Sequence, residues 1–297
     1  MATTRHRNTS TDSTMETVTT LAGLRSRTAS WRTQGSRVAF VPTMGNLHAG
    51  HLQLVRRARA IADHVVVSIF VNPMQFGQNE DYASYPVTLE KDKAALMDVD
   101  ADLLFLPAVS VMYADGLSQT TQVVVPGLNT VLEGEFRPTH FNGVTTVVAK
   151  LFNMVQPDIA VFGEKDFQQL LIIRRMVSDL AMPIAIEGVA TMREADGLAM
   201  SSRNSYLSAG ERAIAPQLHR TLLDVRDIVL RGERDLAAVE QAAMVQLGEA
   251  GFEPQYLSIR RCTDLSLPEG EQDEWVVLAA AMLGATRLID NVRVSVT

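Results

Sequence analysis

Two histidines, His48 and His51, stand three residues apart in the segment Pro42-Thr43-Met44-Gly45-Asn46-Leu47-His48-Ala49-Gly50-His51, with Gly50 between them. On a helix this spacing places both imidazoles on one face of the first turn. The run before it, Arg37-Val38-Ala39-Phe40-Val41, reads as a buried strand. A strand, a glycine-bearing turn and a helix N-terminus form an anion site, because free backbone N–H groups and the helix dipole both favour negative charge. Imidazoles placed there can donate to a phosphoryl group as its charge grows in a transition state. Neutral or protonated, each ring can donate; only a protonated one adds positive charge. An isolated pair fits structural histidines as well. Gly45, where backbone can approach a ligand closely, and the motifs downstream favour phosphate.

Further along, Asn72 and Gln75 follow the apolar run that ends at Val71. An amide suits a neutral hydroxyl, since it offers both donor and acceptor. Gly163-Glu164-Lys165-Asp166 lies between a strand and a helix: Lys165 supplies a point charge for phosphates, and Asp166 can cap the helix or accept from ribose hydroxyls. Met200-Ser201-Ser202-Arg203 offers hydroxyls and a guanidinium that binds phosphate through two N–H groups. Arg137 and His140, bracketed by Gly134 and Gly143, suggest a mobile loop. Asp92 is a candidate oxygen ligand for Mg²⁺, an ion that keeps several waters and leans on substrate phosphates.

These residues need a scaffold, and the pattern supplies one. Val65 to Val71 is a continuous β-branched run, the mark of a strand buried on both faces in a parallel sheet. Leu103 to Leu106, Ile159 to Phe162 and Ile184 to Ile186 read as further strands, with Val123 to Val125 a shorter one. Helices are predicted from Met15 to about Trp31, after His51, at 89–97, 144–155 and 167–180. Strand and helix alternate, so the fold class is α/β: a Rossmann-like, doubly wound parallel sheet, with ligands beyond the carboxyl ends of its strands. After about Gly188 the pattern changes. Ser208 and Glu211 make a capping box, Pro216 interrupts the helix that follows, a second helix runs over 236–249, and strands are expected at 256–260, 275–282 and 288–296. The expected division is a disordered tail at 1–14, a Rossmann-like nucleotide- and substrate-binding domain at 15–188, and a smaller C-terminal α+β lid domain at 189–297.

Composition sets limits. The 297 residues carry a net charge of −7, which argues against a general nucleic-acid surface while leaving room for a local positive pocket. No run approaches a membrane span of about 20 apolar residues, and the N-terminal stretch lacks an apolar secretory core. The single cysteine, Cys262, fits a reducing compartment and reads as structural. The expected location is the cytoplasm.

Pro42 to His51 resembles the HIGH-type signature of nucleotidyltransferases that act on the α-phosphate of ATP. The order of four longer words extends the likeness over about Arg37 to the C-terminus. They are Ser68-Ile69-Phe70-Val71-Asn72-Pro73-Met74-Gln75-Phe76, Arg137-Pro138-Thr139-His140-Phe141, Phe162-Gly163-Glu164-Lys165-Asp166-Phe167-Gln168-Gln169 and Met200-Ser201-Ser202-Arg203-Asn204. In these the chain resembles the pantothenate synthetase (pantoate–β-alanine ligase) family. The resemblance implies an ATP-dependent ligase of pantothenate biosynthesis: pantoate attacks the α-phosphate, pyrophosphate leaves, and β-alanine displaces AMP from the pantoyl adenylate. It implies His51 and His48 as catalytic residues, with His51 the proton donor. It implies an ATP site of Met44, Gly45, Asn46, Leu47, His48, Ala49, Gly50, His51, Gly163, Glu164, Lys165, Asp166, Met192, Met200, Ser201, Ser202 and Arg203. Gln75 and Gln169 would hold pantoate, Gln75 would also meet β-alanine, and Gln168 falls one position off the match. Mg²⁺ and a homodimer follow from the same likeness. Other readings are another adenylyl- or cytidylyltransferase of the superfamily, or a non-catalytic nucleotide sensor.

Overall fold

The structure is a computed structural model describing residues 15–78, 80–269 and 274–295. The tail expected at 1–14 lies outside the described residues. Six strands form one parallel sheet: β1 (Glu16–Val18), β2 (Val38–Thr43), β3 (His64–Ile69), β4 (Leu103–Phe105), β5 (Ile159–Gly163) and β6 (Ala185–Val189). Its helices are α1 (Leu21–Thr33), α2 (Ala49–Ile61), α3 (Leu89–Met97), the short α4 (Val109–Met112) and α5 (Glu133–Phe136), α6 (His140–Val155) and α7 (Phe167–Asp179).

The continuous apolar runs are explained by burial on both faces. Phe40, Val66, Phe105 and Ala160 pack with α1, α6 and α7, while Ala39, Val41, Val65, Val67, Leu104 and Val161 pack with α2 and α3. Adjacent strand residues point to opposite faces, so both faces are apolar.

The strand order is β1-β4-β3-β2-β5-β6. From β2 the chain winds outward through β3 and β4; from β5 it winds the other way to β6. The direction reverses between β2 and β5, and a ligand site is expected beyond their carboxyl ends. The turns after these strands are the histidine segment and the Gly163–Asp166 segment.

The C-terminal part is an antiparallel sheet, β7 (Glu253–Arg261), β8 (Glu274–Leu283) and β9 (Thr286–Ser295), packed on α9 (Gln217–Leu230) and α10 (Leu236–Glu249). Leu218, Leu222, Val225 and Val229 form the buried stripe of α9. The chain restarts at Pro216 as expected, leaving α8 (Ala209–Ile214) as a short helix opened by the Ser208–Glu211 capping box. Along β8, Trp275, Val277 and Ala279 face the helices, whereas Val276 and Leu278 join Leu132 and Phe167 at the junction with the parallel sheet.

Three sequence expectations change. The helix predicted from Met15 begins only at Leu21, because Thr20 caps it by accepting from the Gly23 N–H; residues 16–18 instead pair with β4. Val123 to Val125 belongs to no strand: the Val123 N–H and carbonyl are bonded by the hydroxyls of Thr146 and Thr145. The segment read as a mobile loop around Arg137 and His140 is α5 and the start of α6, with His140 buried.

Candidate active site

The turn after β2 is built by backbone strain that one buried carboxylate offsets. Gly45 has φ +86° and Asn46 φ +51°. A side chain at Gly45 would meet Ile69 at 3.0 Å and Asp92 at 3.2 Å, so only glycine fits. Asp92, 3% exposed, accepts from the Asn46 and Leu47 N–H groups at 2.9 and 2.8 Å and from the Thr88 hydroxyl at 3.1 Å. These bonds engage the carboxylate that the sequence offers as a candidate magnesium ligand. Both oxygens hold the turn from beneath, and the carboxylate does not line the cleft. Among the described residues, no group of three or more His, Cys, Asp or Glu side chains could hold a metal ion.

His48 is the N-cap of α2. Its Nδ1 accepts from the Gly50 N–H at 3.2 Å, and the His51 Nδ1 accepts from the His48 N–H at 3.3 Å. An imidazole whose Nδ1 accepts carries its hydrogen, when neutral, on Nε2. Both rings therefore keep Nε2–H as a donor on the opposite edge. A Cβ at Gly50 would lie 3.0 Å from the His48 ring, which is why glycine stands between the histidines. Burial, then the Lys165 charge, pushes His48 down to about 4. Burial, then His48 itself, pushes His51 down to about 3. The pair is neutral at pH 7, with ring centroids 4.0 Å apart.

Both histidines line a cleft of about 900 Å³. Met44, Gly50, Gly163, Lys165, Asp166, Met200, Ser201, Ser202, Arg203, Gln75 and Gln169 line it too. Other predicted nucleotide contacts lie behind this surface. Asn46 and Leu47 are held by Asp92, and the Glu164 carboxylate turns to Arg293 at 2.9 Å. Met192 packs near Gly50. Asp166 makes no capping bond to α7.

Ser202 donates to the Asn46 carbonyl at 3.1 Å, so the Met200–Arg203 segment rests on the histidine turn. Arg203 makes two bonds to Asp81 at 3.0 and 2.8 Å. Burial would raise the Asp81 carboxyl, but Arg203 outweighs it and holds the group below its usual range. From the antiparallel sheet, Asn291 donates to the carbonyls of Glu164 and Lys165, both at 2.9 Å, fixing the second turn.

Around Gln75 the supports come from distant parts of the chain. His140 Nδ1 bonds the Gln75 carbonyl at 2.9 Å. Burial, then Arg137, pushes His140 down to about 4, so the neutral ring donates through Nδ1–H. Arg137 grips Glu80, and Glu133 accepts from Arg287 at 2.5 and 2.8 Å, joining α5 to β9. Gln168, absent from the predicted site, is buried and ties the Leu128 and Val131 carbonyls and the Glu133 N–H together. Sequence reasoning missed Asp81, Glu133, Tyr256, Arg287 and Asn291 in this cleft. Apart from Glu133 with Arg137 four residues on, no local spacing marks them, because their partners lie tens of residues or more away.

Residues 16–293 match the family model described as pantoate-beta-alanine ligase. The chain is 57% identical to the pantothenate synthetase of Thioalkalivibrio sulfidiphilus over 280 residues, covering 94% of this chain and 98% of that one. With the pantothenate synthetase of Pseudomonas fluorescens it shares 53% identity, over 95% and 98% of the two chains. The crystal structure of pantothenate synthetase from Thermus thermophilus superposes with a TM-score of 0.86 at 46% identity, covering 94% of this chain and 99% of that one. The pantoate-beta-alanine ligase of Francisella tularensis, solved with beta-gamma ATP and beta-alanine, gives a TM-score of 0.79 at 32% identity, covering 94% and 97%.

Proposed function

The chain belongs to the pantoate–β-alanine ligase family, and on that premise we propose how its cleft performs an ATP-dependent ligation of pantoate to β-alanine. A carboxylate oxygen of pantoate attacks the α-phosphorus, and the bond to the β-phosphate oxygen breaks, releasing pyrophosphate. The β-alanine amine then attacks the acyl carbon of the adenylate, loses a proton and expels AMP, leaving pantothenate.

One observation carries the assignment of the first step: both histidines spend Nδ1 on backbone N–H groups and keep Nε2–H free. In this reading, His48 and His51 donate these hydrogens to the α-phosphate as its charge grows. They act as neutral hydrogen-bond donors that need no reorganisation, which narrows the expected proton-donor role of His51. Met44, Gly45, Asn46, Leu47, Ala49 and Gly50 shape the turn against the nucleotide, with Met192 behind Gly50. Lys165, Ser201, Ser202 and Arg203 take the outer phosphates. For this, Arg203 exchanges Asp81 for phosphate, a ligand of the same charge sign and geometry. Gly163 and Asp166 form the second wall, with Glu164 turned behind it to Arg293, and Gln75 and Gln169 hold pantoate with its carboxylate toward phosphorus, a positioning effect.

Magnesium would arrive on the phosphates of ATP, as is usual for that ion. Residues 189–297 would serve as a lid over residues 15–188, joined through Glu133 and Arg287. A cytoplasmic homodimer is part of the same reading; among the described residues no helix is long and apolar enough to cross a membrane.

The test is pyrophosphate release from ATP and pantoate without β-alanine, followed by AMP release when β-alanine is added. Pyrophosphate that appears only with both ATP and pantoate supports the reading. Release with a different acceptor, or none, overturns it in favour of another transferase or a nucleotide sensor.

A further inference from the structure

Asn72 is 1% exposed, and the backbone fixes which way its amide faces. Its Nδ2 lies 3.1 Å from the Gly143 carbonyl, which can only accept. Its Oδ1 lies 3.3 Å from the Met74 N–H, which can only donate. The amide thus cannot be reversed without opposing like groups at both ends. Oδ1 also lies 2.6 Å from the hydroxyl of Tyr113, a side chain 4% exposed at the end of α4. Because Oδ1 has no hydrogen, Tyr113 must be the donor. Burial pushes the Tyr113 phenol far above its ordinary range, so this hydrogen stays in place at any working pH.

The second hydrogen of Asn72 Nδ2 goes to Gln75 Oε1 at 3.1 Å. That contact settles the next amide in turn. With Oε1 facing Asn72, the Gln75 Nε2 group points away from it and donates to the Met44 sulfur at 3.2 Å. Thioether sulfur is a weak acceptor that a stronger oxygen readily replaces.

We propose that Tyr113 is a positioning residue for pantoate: through Asn72 it fixes the Gln75 amide so that N–H groups, and not the carbonyl, meet the substrate. The proposal rests on the reading that Gln75 faces pantoate. It adds a polarity to that reading. Gln75 meets a pantoate oxygen as a donor, with its carbonyl turned to Asn72. It also assigns a task to a buried tyrosine that touches no reactant.

The experiment uses the full chain and measures pantoate-dependent pyrophosphate release at saturating ATP, in the absence of β-alanine. The variants are Tyr113→Phe, Gln75→Ala and the double variant. Loss of one hydrogen bond predicts that Tyr113→Phe raises the pantoate KM roughly 3- to 10-fold and leaves the ATP KM unchanged. On the Gln75→Ala background the same substitution should have no further effect. An equal effect on both backgrounds, or an equal rise in the ATP KM, means Tyr113 only supports the fold and overturns the proposal. If Gln75→Ala itself uses pantoate as the parent does, the placement of pantoate against Gln75 falls and the relay falls with it. If Gln75→Ala is impaired but Tyr113→Phe is silent, the relay alone is wrong. Asn72→Asp tests polarity directly. It keeps the acceptor for Tyr113 and Met74 but has no hydrogen for Gln75 or for the Gly143 carbonyl, so the pantoate KM should rise by about 10-fold or more. A pantoate KM equal to the parent's overturns the amide orientation.

Discussion

The histidine side of the cleft and the Gln75 side are built in opposite ways. His48, Gly50 and His51 cap one another within a single helical turn, so each ring is oriented by atoms two or three residues away. Gln75 is oriented by Asn72, by the close approach of Gly143 and by His140, which lies 65 residues along the chain. The first is a local device, complete once α2 forms. The second exists only after α6 has packed against the turn at Pro73–Gln75. Damage to the first should therefore remain chemical, whereas damage to the second should spread through packing before it reaches pantoate.

The largest expected effect is on the local side. On the proposed role of His51, His51→Ala removes one donor to the α-phosphate, and losses of about 10²–10³ in adenylate formation are typical of such a change. Because the turn is held from beneath by Asp92, ATP binding should change little. Equilibrium binding of ATP beside single-turnover pyrophosphate release checks both halves; near-parent turnover would remove His51 from catalysis.

Next comes Gly143→Ala on the assembled side. The new Cβ would lie 2.3 Å from the Met74 carbonyl and 2.6 Å from the Gln75 nitrogen, both backbone atoms with little room to move. The turn must shift, and a displacement of about 1 Å commonly costs on the order of 10² in rate. Pantoate-dependent turnover should fall by that order while ATP affinity survives. Equal loss of both would mean the two sides are not separable.

Acid gives a milder test that reaches both sides together. His51 and His140 have folded-state values pushed down to about 3 and about 4, against 6.5 when unfolded. As pH drops below 6.5 the unfolded chain takes up protons that the folded protein refuses, so stability is full above that value and declines down to about 4 for His140 and about 3 for His51. Each such histidine contributes at most about 1.4 kcal/mol per pH unit. Denaturant midpoints between pH 7 and 4 measure it. His140→Gln should flatten part of the slope, and so should His51→Gln; a slope unchanged by either would mean that ring is not held neutral.

The same division explains what the sequence made legible. The sheet was readable because burial on both faces leaves uninterrupted runs such as Val65 to Val71. The histidine turn was readable because its glycines and rings are neighbours. Asp166 looked like a helix cap by position alone, yet the chain passes through a tight turn and its carboxylate stays off the helix N-terminus. Val123 to Val125 has strand propensity, but the backbone N–H and carbonyl of Val123 are taken by threonine hydroxyls of α6. Glu133, the buried carboxylate shared by Arg137 and Arg287, shows its i,i+4 spacing to Arg137 in the sequence, but its tie to Arg287 on β9 is set by packing. Long-range polar networks leave no periodicity to read.

Asp92 is the exception that sharpens the comparison, since it is a distant residue serving the local side. It lies 46 positions from Asn46, and its two oxygens answer the two N–H groups that a left-handed turn leaves pointing inward. Asp92→Asn preserves size and one acceptor but turns an NH₂ group toward a backbone N–H, so one buried donor loses its partner. Such a loss costs about 1–3 kcal/mol, spread between stability and the shape of the turn. The ATP KM should rise by about 10-fold or less, through the turn, with the rate at saturating ATP largely kept. If Asp92 held magnesium instead, the variant would shift the magnesium concentration for half-maximal activity and leave the turn intact. Titrating magnesium at fixed, saturating ATP separates the two. An unchanged magnesium midpoint with weakened ATP use supports the clamp, and a shifted midpoint with unchanged ATP use returns Asp92 to the metal.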